Sequence, residues 1–432
     1  MGFLALVLPA AAQFAGPAIL TRGEAPAAMG KPQIDFRPFA AISGGFSSGL
    51  AGVGVSETGD FPNYSSATIN ASWGVSGIHS WRRTKLGLDY SGSVSHYFNQ
   101  GRFDSLNHSL SLGINEQISR HVVLSIAERA GVFSRDNGLR GLQQSVPFDP
   151  STSFVPTQDY FDNRTLYQSS QAQLAVQRSV KTSISLGGGF FTTSYRSKAL
   201  NGVTGYNATG DIQHRMTRRL TVGSSYSYGH YNFRRVFGGT DFHAVAGTLA
   251  IALTRTLEFS GYGGVARVES KFTRSIPLDP AIVALLGITS GKEVVHSVQF
   301  IPNAGARLSR AFQTGVLSIS VGHGIVPGNG LFLTSYSTNL IGNYGYTGLR
   351  RWSFDAYVQY THSTAIGDVA GSYGSTTGGL SVSRKITGPL HFLLTGSERR
   401  YGSASFSNYN RNVTDIRIGF GFTPGDIPLR VW

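Results

Sequence analysis

Gly45-Phe46-Ser47-Ser48-Gly49 matches the G-x-S-x-G pattern of a nucleophilic serine. That chemistry needs a strand, a sharp turn and a helix, so that the hydroxyl stands exposed above a sheet. Here the flanks are Gly- and Ser-rich and no helical periodicity follows, so the stretch reads as part of a strand. Gly322-His323-Gly324 through Gly328-Asn329-Gly330 is glycine-rich. Pro327 and the alternating runs on either side make it a hairpin loop and not a phosphate cradle. The 11 His are scattered, with no H-E-x-x-H or comparable ligand spacing. His96, His243, His323 and His362 fall near strand ends, where a solvated or hydrogen-bonded role is expected. There is no carboxylate pair and no dinucleotide fingerprint. The expectation is a protein that is not an enzyme, with no catalytic residue, metal or cofactor. A hydrolase using a rim Ser and His is the weakest alternative.

The positions of the basic residues are more informative. Arg or Lys beside Ser or Thr recurs at Trp81-Arg82-Arg83-Thr84, Ser119-Arg120-His121, Ser179-Val180-Lys181-Thr182, Thr217-Arg218-Arg219, Thr254-Arg255-Thr256, Ser309-Arg310-Ala311, Gly348-Leu349-Arg350-Arg351 and Arg384-Lys385-Ile386-Thr387. Centred on 82, 120, 179, 217, 255, 311, 349 and 387, the steps are 38, 59, 38, 38, 56, 38 and 38. A fixed period marks a repeated structural unit. Each turn is flanked by a long run that alternates apolar with polar. Trp352, Phe354, Ala356, Val358 and Tyr360 alternate with Ser353, Asp355, Tyr357, Gln359 and Thr361; Ile416, Ile418, Phe420 and Phe422 alternate with Asp415, Arg417, Gly419 and Gly421. Side chains on a strand point to opposite faces in turn. Ordinary globular strands run about 5–6 residues, whereas tilted membrane-spanning strands need about 9–11, and these runs fit the longer class. A propeller also repeats near this period, but its blades hold four short strands each.

The spacing predicts an all-β chain: a transmembrane antiparallel up-and-down β-barrel. Eight hairpins plus a first strand at 39–55 and a last at 409–422 give about 18 strands, with 16 if the first segment is not a strand. Short basic turns would be periplasmic and longer loops extracellular. Two long outer loops are expected, at 135–163 and 272–294, either of which could plug or cap the pore. Residues 1–12 read as a signal peptide without the usual positive start, residues 13–38 as a Pro/Gly-rich periplasmic leader, and residues 39–432 as the barrel.

Composition agrees with this reading. Charged residues make up 14% of the 432, against about 25% for a soluble domain. Aromatic content of 12% argues against disorder. There is no Cys, which excludes a disulfide framework and thiol-ligated metal. The formal charge is +14. The basic residues mark hairpin ends instead of forming one patch, which favours anionic lipid headgroups over nucleic acid as their partner.

Alternation assigns Asp89, Gln171, Gln173, Asp211, Gln213, Glu258, Gln299, Arg307, Asp355, Asp415 and Arg417 to the inner face as pore-lining candidates. Rings of such groups set charge selectivity; their mixed signs point to a weakly selective, hydrated interior, or to salt bridges along the wall. The outward aromatics Trp73, Tyr90, Phe259, Trp352, Phe354 and Phe422 suit interfacial girdles.

Long alternating strands, tight basic turns and a C-terminal aromatic together resemble bacterial outer-membrane β-barrels of porin-like size, over residues 39–432. Ile416, Ile418, Phe420 and Phe422 match the family's last strand, and Trp432 is terminal. The departure is Thr423-Pro424-Gly425-Asp426-Ile427-Pro428 between them, because proline breaks ladder pairing. The resemblance implies an outer-membrane location with periplasmic termini, insertion by barrel-assembly machinery, and trimers or another homo-oligomer. A barrel of 16–18 strands is too wide for side chains to fill. The leading expectation is therefore a channel for passive or weakly selective diffusion of small hydrophilic solutes. An export or secretion conduit, for example for polysaccharide, is the alternative.

Overall fold

Alternation of this length leaves the backbone one economical solution, a sheet whose edges meet. The computed structural model describes residues 33–51, 63–134, 164–277, 290–327, 330, 332–366, 371–403 and 410–422. Among them are eighteen strands: β1 (Gln33–Leu50), β2 (Tyr64–Ser80), β3 (Thr84–Tyr97), β4 (Ser105–Ser119), β5 (Val122–Phe133), β6 (Thr165–Gln177), β7 (Thr182–Tyr195), β8 (Val203–Arg215), β9 (Leu220–Phe233), β10 (Gly238–Ala252), β11 (Leu257–Pro277), β12 (Ser290–Phe312), β13 (Gly315–Pro327), β14 (Thr334–Tyr346), β15 (Trp352–Ala365), β16 (Ser372–Thr387), β17 (Leu390–Gly402) and β18 (Arg411–Phe422). Each pairs antiparallel with its neighbours in sequence, and β1 pairs with both β2 and β18, which closes the barrel.

The closing seam shows how the two faces are kept apart. Ile42 lies opposite Phe420 and Phe46 opposite Ile416 on the outer face, while Ser43 meets Gly419 and Ser47 meets Asp415 on the inner one. Large apolar side chains stand exposed right round the outside, among them Leu186, Ile212, Val245, Val265, Ile319, Val358, Leu380 and Ile418. A water-soluble protein rarely shows a continuous apolar surface of this kind. The outer face is therefore built for lipid, and the chain is a transmembrane barrel.

The Ser/Thr–basic signature has a local cause. At four turns the hydroxyl accepts the backbone N–H two residues on: His121 to Ser119 Oγ, Lys181 to Ser179 Oγ, Arg219 to Thr217 Oγ1 and Thr256 to Thr254 Oγ1, each at 3.2 Å. Such side chains satisfy a turn amide that would otherwise lack a partner. The neighbouring Arg or Lys stays exposed at the rim.

Two boundaries differ from the sequence expectation. β1 begins at Gln33 and ends at Leu50, so it takes in the last six residues of the expected leader and stops short of Val55. Its continuous pairing with β2, from Gln33 opposite Ser80 onward, outweighs the poor strand signal of Pro38. The second difference is at 272–294. β11 and β12 run 21 and 23 residues and pair from Leu257–Arg310 up to Pro277–Ser290. Both flanks of the expected loop, 272–277 and 290–294, are thus a hairpin extension, supported by the β-branched Thr273, Val294 and Val295, and residues 278–289 lie outside the described residues. The expected signal, residues 13–32 of the leader, loop 135–163 and Trp432 lie outside the described residues.

Candidate functional site: a polar lumen bridged at its mouth

All eleven pore-lining candidates fall on the inner face by register. Asp415 and Arg417, two apart on β18, form an ion pair, with Arg417 Nε 2.8 Å from Oδ1 and Nη2 3.0 Å from Oδ2. Ser47 Oγ donates to Asp415 Oδ2 at 2.5 Å across the closing seam. Asp211 accepts from Ser185 Oγ at 3.2 Å. Asp89 and Asp211 are only 7% and 3% exposed, so neighbouring side chains shield both from the lumen. Gln171 and Gln173 lie opposite Gly189 and Gly187, and Gln213 lies opposite Gly223. Glu258 is beside Arg307's partner Ser260. Asp355 faces Ser381. Gln299 stands apart from the rest, on the extended part of β12.

Several inward arginines were not singled out from the sequence as pore-lining, among them Arg129, Arg399 and Arg411. Arg129 is two strands from Asp89 in one inner-face row, with Ser111 between them. Arg399 donates to Thr377 Oγ1 at 3.2 Å and to Tyr401 OH at 2.8 Å. Arg411 donates to Gly49 O at 3.2 Å and lies over the Tyr401 ring at 4.9 Å. The same alternation that marked Asp415 would have found all three. β17 and β18 thus carry Arg399, Arg411 and Arg417 on the lumen side with Asp415 as the one acid among the described inward residues of these two strands. Replacing Asp415 by Asn would leave that wall one negative charge poorer. We expect the reversal potential under a salt gradient to move towards anion preference, and no movement would show that this wall does not face the conduction path.

The six girdle candidates face outward. Trp352 and Phe354 stack 5.9 Å apart at 9°, with Arg384 5.1 Å over the Trp352 ring. Phe259 and Phe422 share this turn-end level. Trp73 and Tyr90 sit higher, around His108: Tyr90 OH is 3.0 Å from His108 Nδ1, and the Trp73 ring meets His108 edge-on at 6.1 Å.

The opposite, loop end is where the wall departs from regularity. β12 pairs with β11 along its whole length, but with β13 only up to Ala304–His323. The cause is a single residue. Ala311 N–H bonds the carbonyl of Thr256, the residue just before β11, so odd residues of β12 point their backbone groups at β11 and even ones at β13. The next even residue beyond Ala304 is Pro302, which has no N–H to give. The ladder stops there, opposite Gly322-His323-Gly324, which are strand within β13 and not the expected hairpin loop.

Beyond that point the tip of β13–β14 turns into the barrel. Ile325 is buried in one cluster with Phe242, Val268 and Ile301, and Leu333 and Tyr336 pack against it. Thr334 Oγ1 is 2.7 Å from Thr240 Oγ1, which is 3.0 Å from Ser270 Oγ. The tip thus lies on the inner surface of β10 and β11. It then reaches on across the mouth. Gly330 O accepts Asn201 N–H at 2.9 Å from the β7–β8 connection. Phe332 lies 5.6 Å from the Tyr373 ring of β16 and shares a buried cluster with Tyr195, Leu200 and Tyr401. β7 and β16 are nine strands apart in an eighteen-strand ring, so this chain of contacts spans the mouth from wall to opposite wall. Gly330 makes the approach feasible: its φ is +88°, and a Cβ there would lie 2.9 Å from Tyr195 Cε2.

No family model matches the sequence, and no curated protein is similar to it. Solved structures that resemble it include outer-membrane proteins, transporters and receptors. Pseudomonas aeruginosa OccK5 (OpdH) is 11% identical, with 92% of this chain and 99% of that one covered and a TM-score of 0.41. The copper transporter OprC is 9% identical, covering 93% and 68%, at 0.45. The ferric-catecholate import receptor Fiu of Escherichia coli K12 is 10% identical, at 0.40, and this chain, with 87% of its length covered, spans 66% of that one. At these TM-scores the superpositions carry no argument about this chain, and the barrel stands on its own closed ladder.

Proposed function

We propose that this barrel is an outer-membrane channel for the diffusion of small hydrophilic solutes, passive or weakly selective, with a loop bridge that narrows its outer mouth. The observation that supports this most is the eighteen-strand closed wall with an inner face of Ser, Thr, Asn, Gln and mixed charges. A wall of that size encloses more space than its own side chains fill. The inward charges of both signs suit weak selectivity. On this reading the turn end is periplasmic and the bridged end extracellular. Outer-membrane lipid, barrel-assembly machinery and the diffusing solutes are the partners it requires. Purified protein in planar bilayers should give discrete conductance steps, with modest preference between small cations and anions. Membranes that stay silent while gel migration shows a folded, heat-modifiable barrel would overturn the reading.

A further inference from the structure

The parting of β12 and β13 leaves a seam in the wall. Above Ala304, the even residues of β12 present backbone groups with no strand beside them among the described residues. Ala304 lies eight residues from Phe312 at the turn end of its hairpin, about 20 Å up the barrel at roughly 3.3 Å per residue and a tilt of about 40°. An apolar band of such barrels is about 25 Å tall. The seam therefore opens within the upper part of the lipid belt.

Both sides of this opening are apolar. Inside it are Ile301, Val268 and Ile325, buried against one another. Outside, Phe300 is 71% exposed and Val298 44%, continuous with Val265 and Val245 of the lipid-facing belt. A water-filled pore has no use for an apolar patch behind a broken ladder. A molecule with a polar head and an apolar chain does: its chain could stay in contact with carbon from the lumen wall through to lipid, while its head remained among the polar groups of the mouth.

We propose that the seam between β12 and the inturned tip of β13 is a side port for amphipathic molecules that carry an acyl chain, linking the mouth of the barrel to the surrounding lipid layer. It is a second route, separate from the conduction of hydrophilic solutes.

The test uses the full protein in lipid vesicles with dodecanoic acid bearing a diazirine near its chain end. Photolysis followed by peptide mapping should label Ile301, Ile325 or Val268, positions that a chain confined to the outer belt does not reach. A diazirine-bearing sugar of similar size should not label them. Pro302→Val returns the missing N–H to the ladder and lets β13 pair onward. It should lower acyl labelling of these three residues several-fold, while channel conductance is kept or rises. Labelling of the wild type confined to belt residues such as Ile416 and Phe420 would overturn the proposal without recourse to any variant. So would undiminished inner labelling in a folded Pro302→Val barrel. Because conductance is read separately, failure of the port and failure of the channel reading are distinguishable.

Discussion

Removing the Phe332 side chain should raise single-channel conductance several-fold. Phe332 is 2% exposed and is the residue of the β13–β14 tip that meets both walls, touching Tyr373 on one side and sharing its cluster with Tyr195 and Leu200 on the other. Phe332→Ala vacates the middle of the bridge and opens a water path between Tyr195 and Tyr373. Gly330→Val should act in the same direction by a different cause, since valine at φ +88° is strained and its Cβ meets Tyr195. Because the chain has no Cys, Thr240→Cys with Thr334→Cys gives a clean opposite. Their hydroxyls are 2.7 Å apart, within disulfide reach. Oxidation should hold the tip against β10 and keep conductance at or below the wild-type level, and reduction should release it. Equal conductance in wild type, Phe332→Ala and Gly330→Val would mean that the bridge is not the narrowest point.

The second large effect concerns the outer face. Ile418 is 54% exposed on β18, between Gly44 of β1 and Leu394 of β17. In a soluble protein, replacing an exposed Ile by Arg would change stability by less than about 0.5 kcal/mol. In lipid the same change costs about 2–4 kcal/mol near the bilayer midplane. Ile418→Arg should therefore destabilise the folded barrel by that amount in denaturant titrations in vesicles, or block assembly. Ser397→Arg on the inner face opposite Asp415 should be tolerated. A neutral Ile418→Arg would place this face in water and end the membrane reading. The pair tests face assignment directly, because the two positions lie on opposite faces and only three residues apart along β18.

Much of this architecture could be read without coordinates. The period of the basic turns fixes the hairpins, and alternation assigns each side chain to a face, because a strand offers only two directions and a one-residue slip would reverse them all. That is why Asp415, Arg417, Trp352 and Phe354 fall where alternation puts them. It is also why Arg129, Arg399 and Arg411 could have been read the same way. β1 was weaker, since glycine and Pro38 dilute the pattern that its partners β2 and β18 then impose. The bridge was not legible. Pro302 is visible as a proline in a strand, but whether its missing N–H harms the β11 side or the β13 side depends on which residues of β12 aim at which neighbour. That parity exists only once three strands are in register. The contacts that follow, Thr334 on Thr240 and Phe332 between Tyr195 and Tyr373, join residues dozens to more than a hundred positions apart, and the curvature of a closed wall alone brings them within reach.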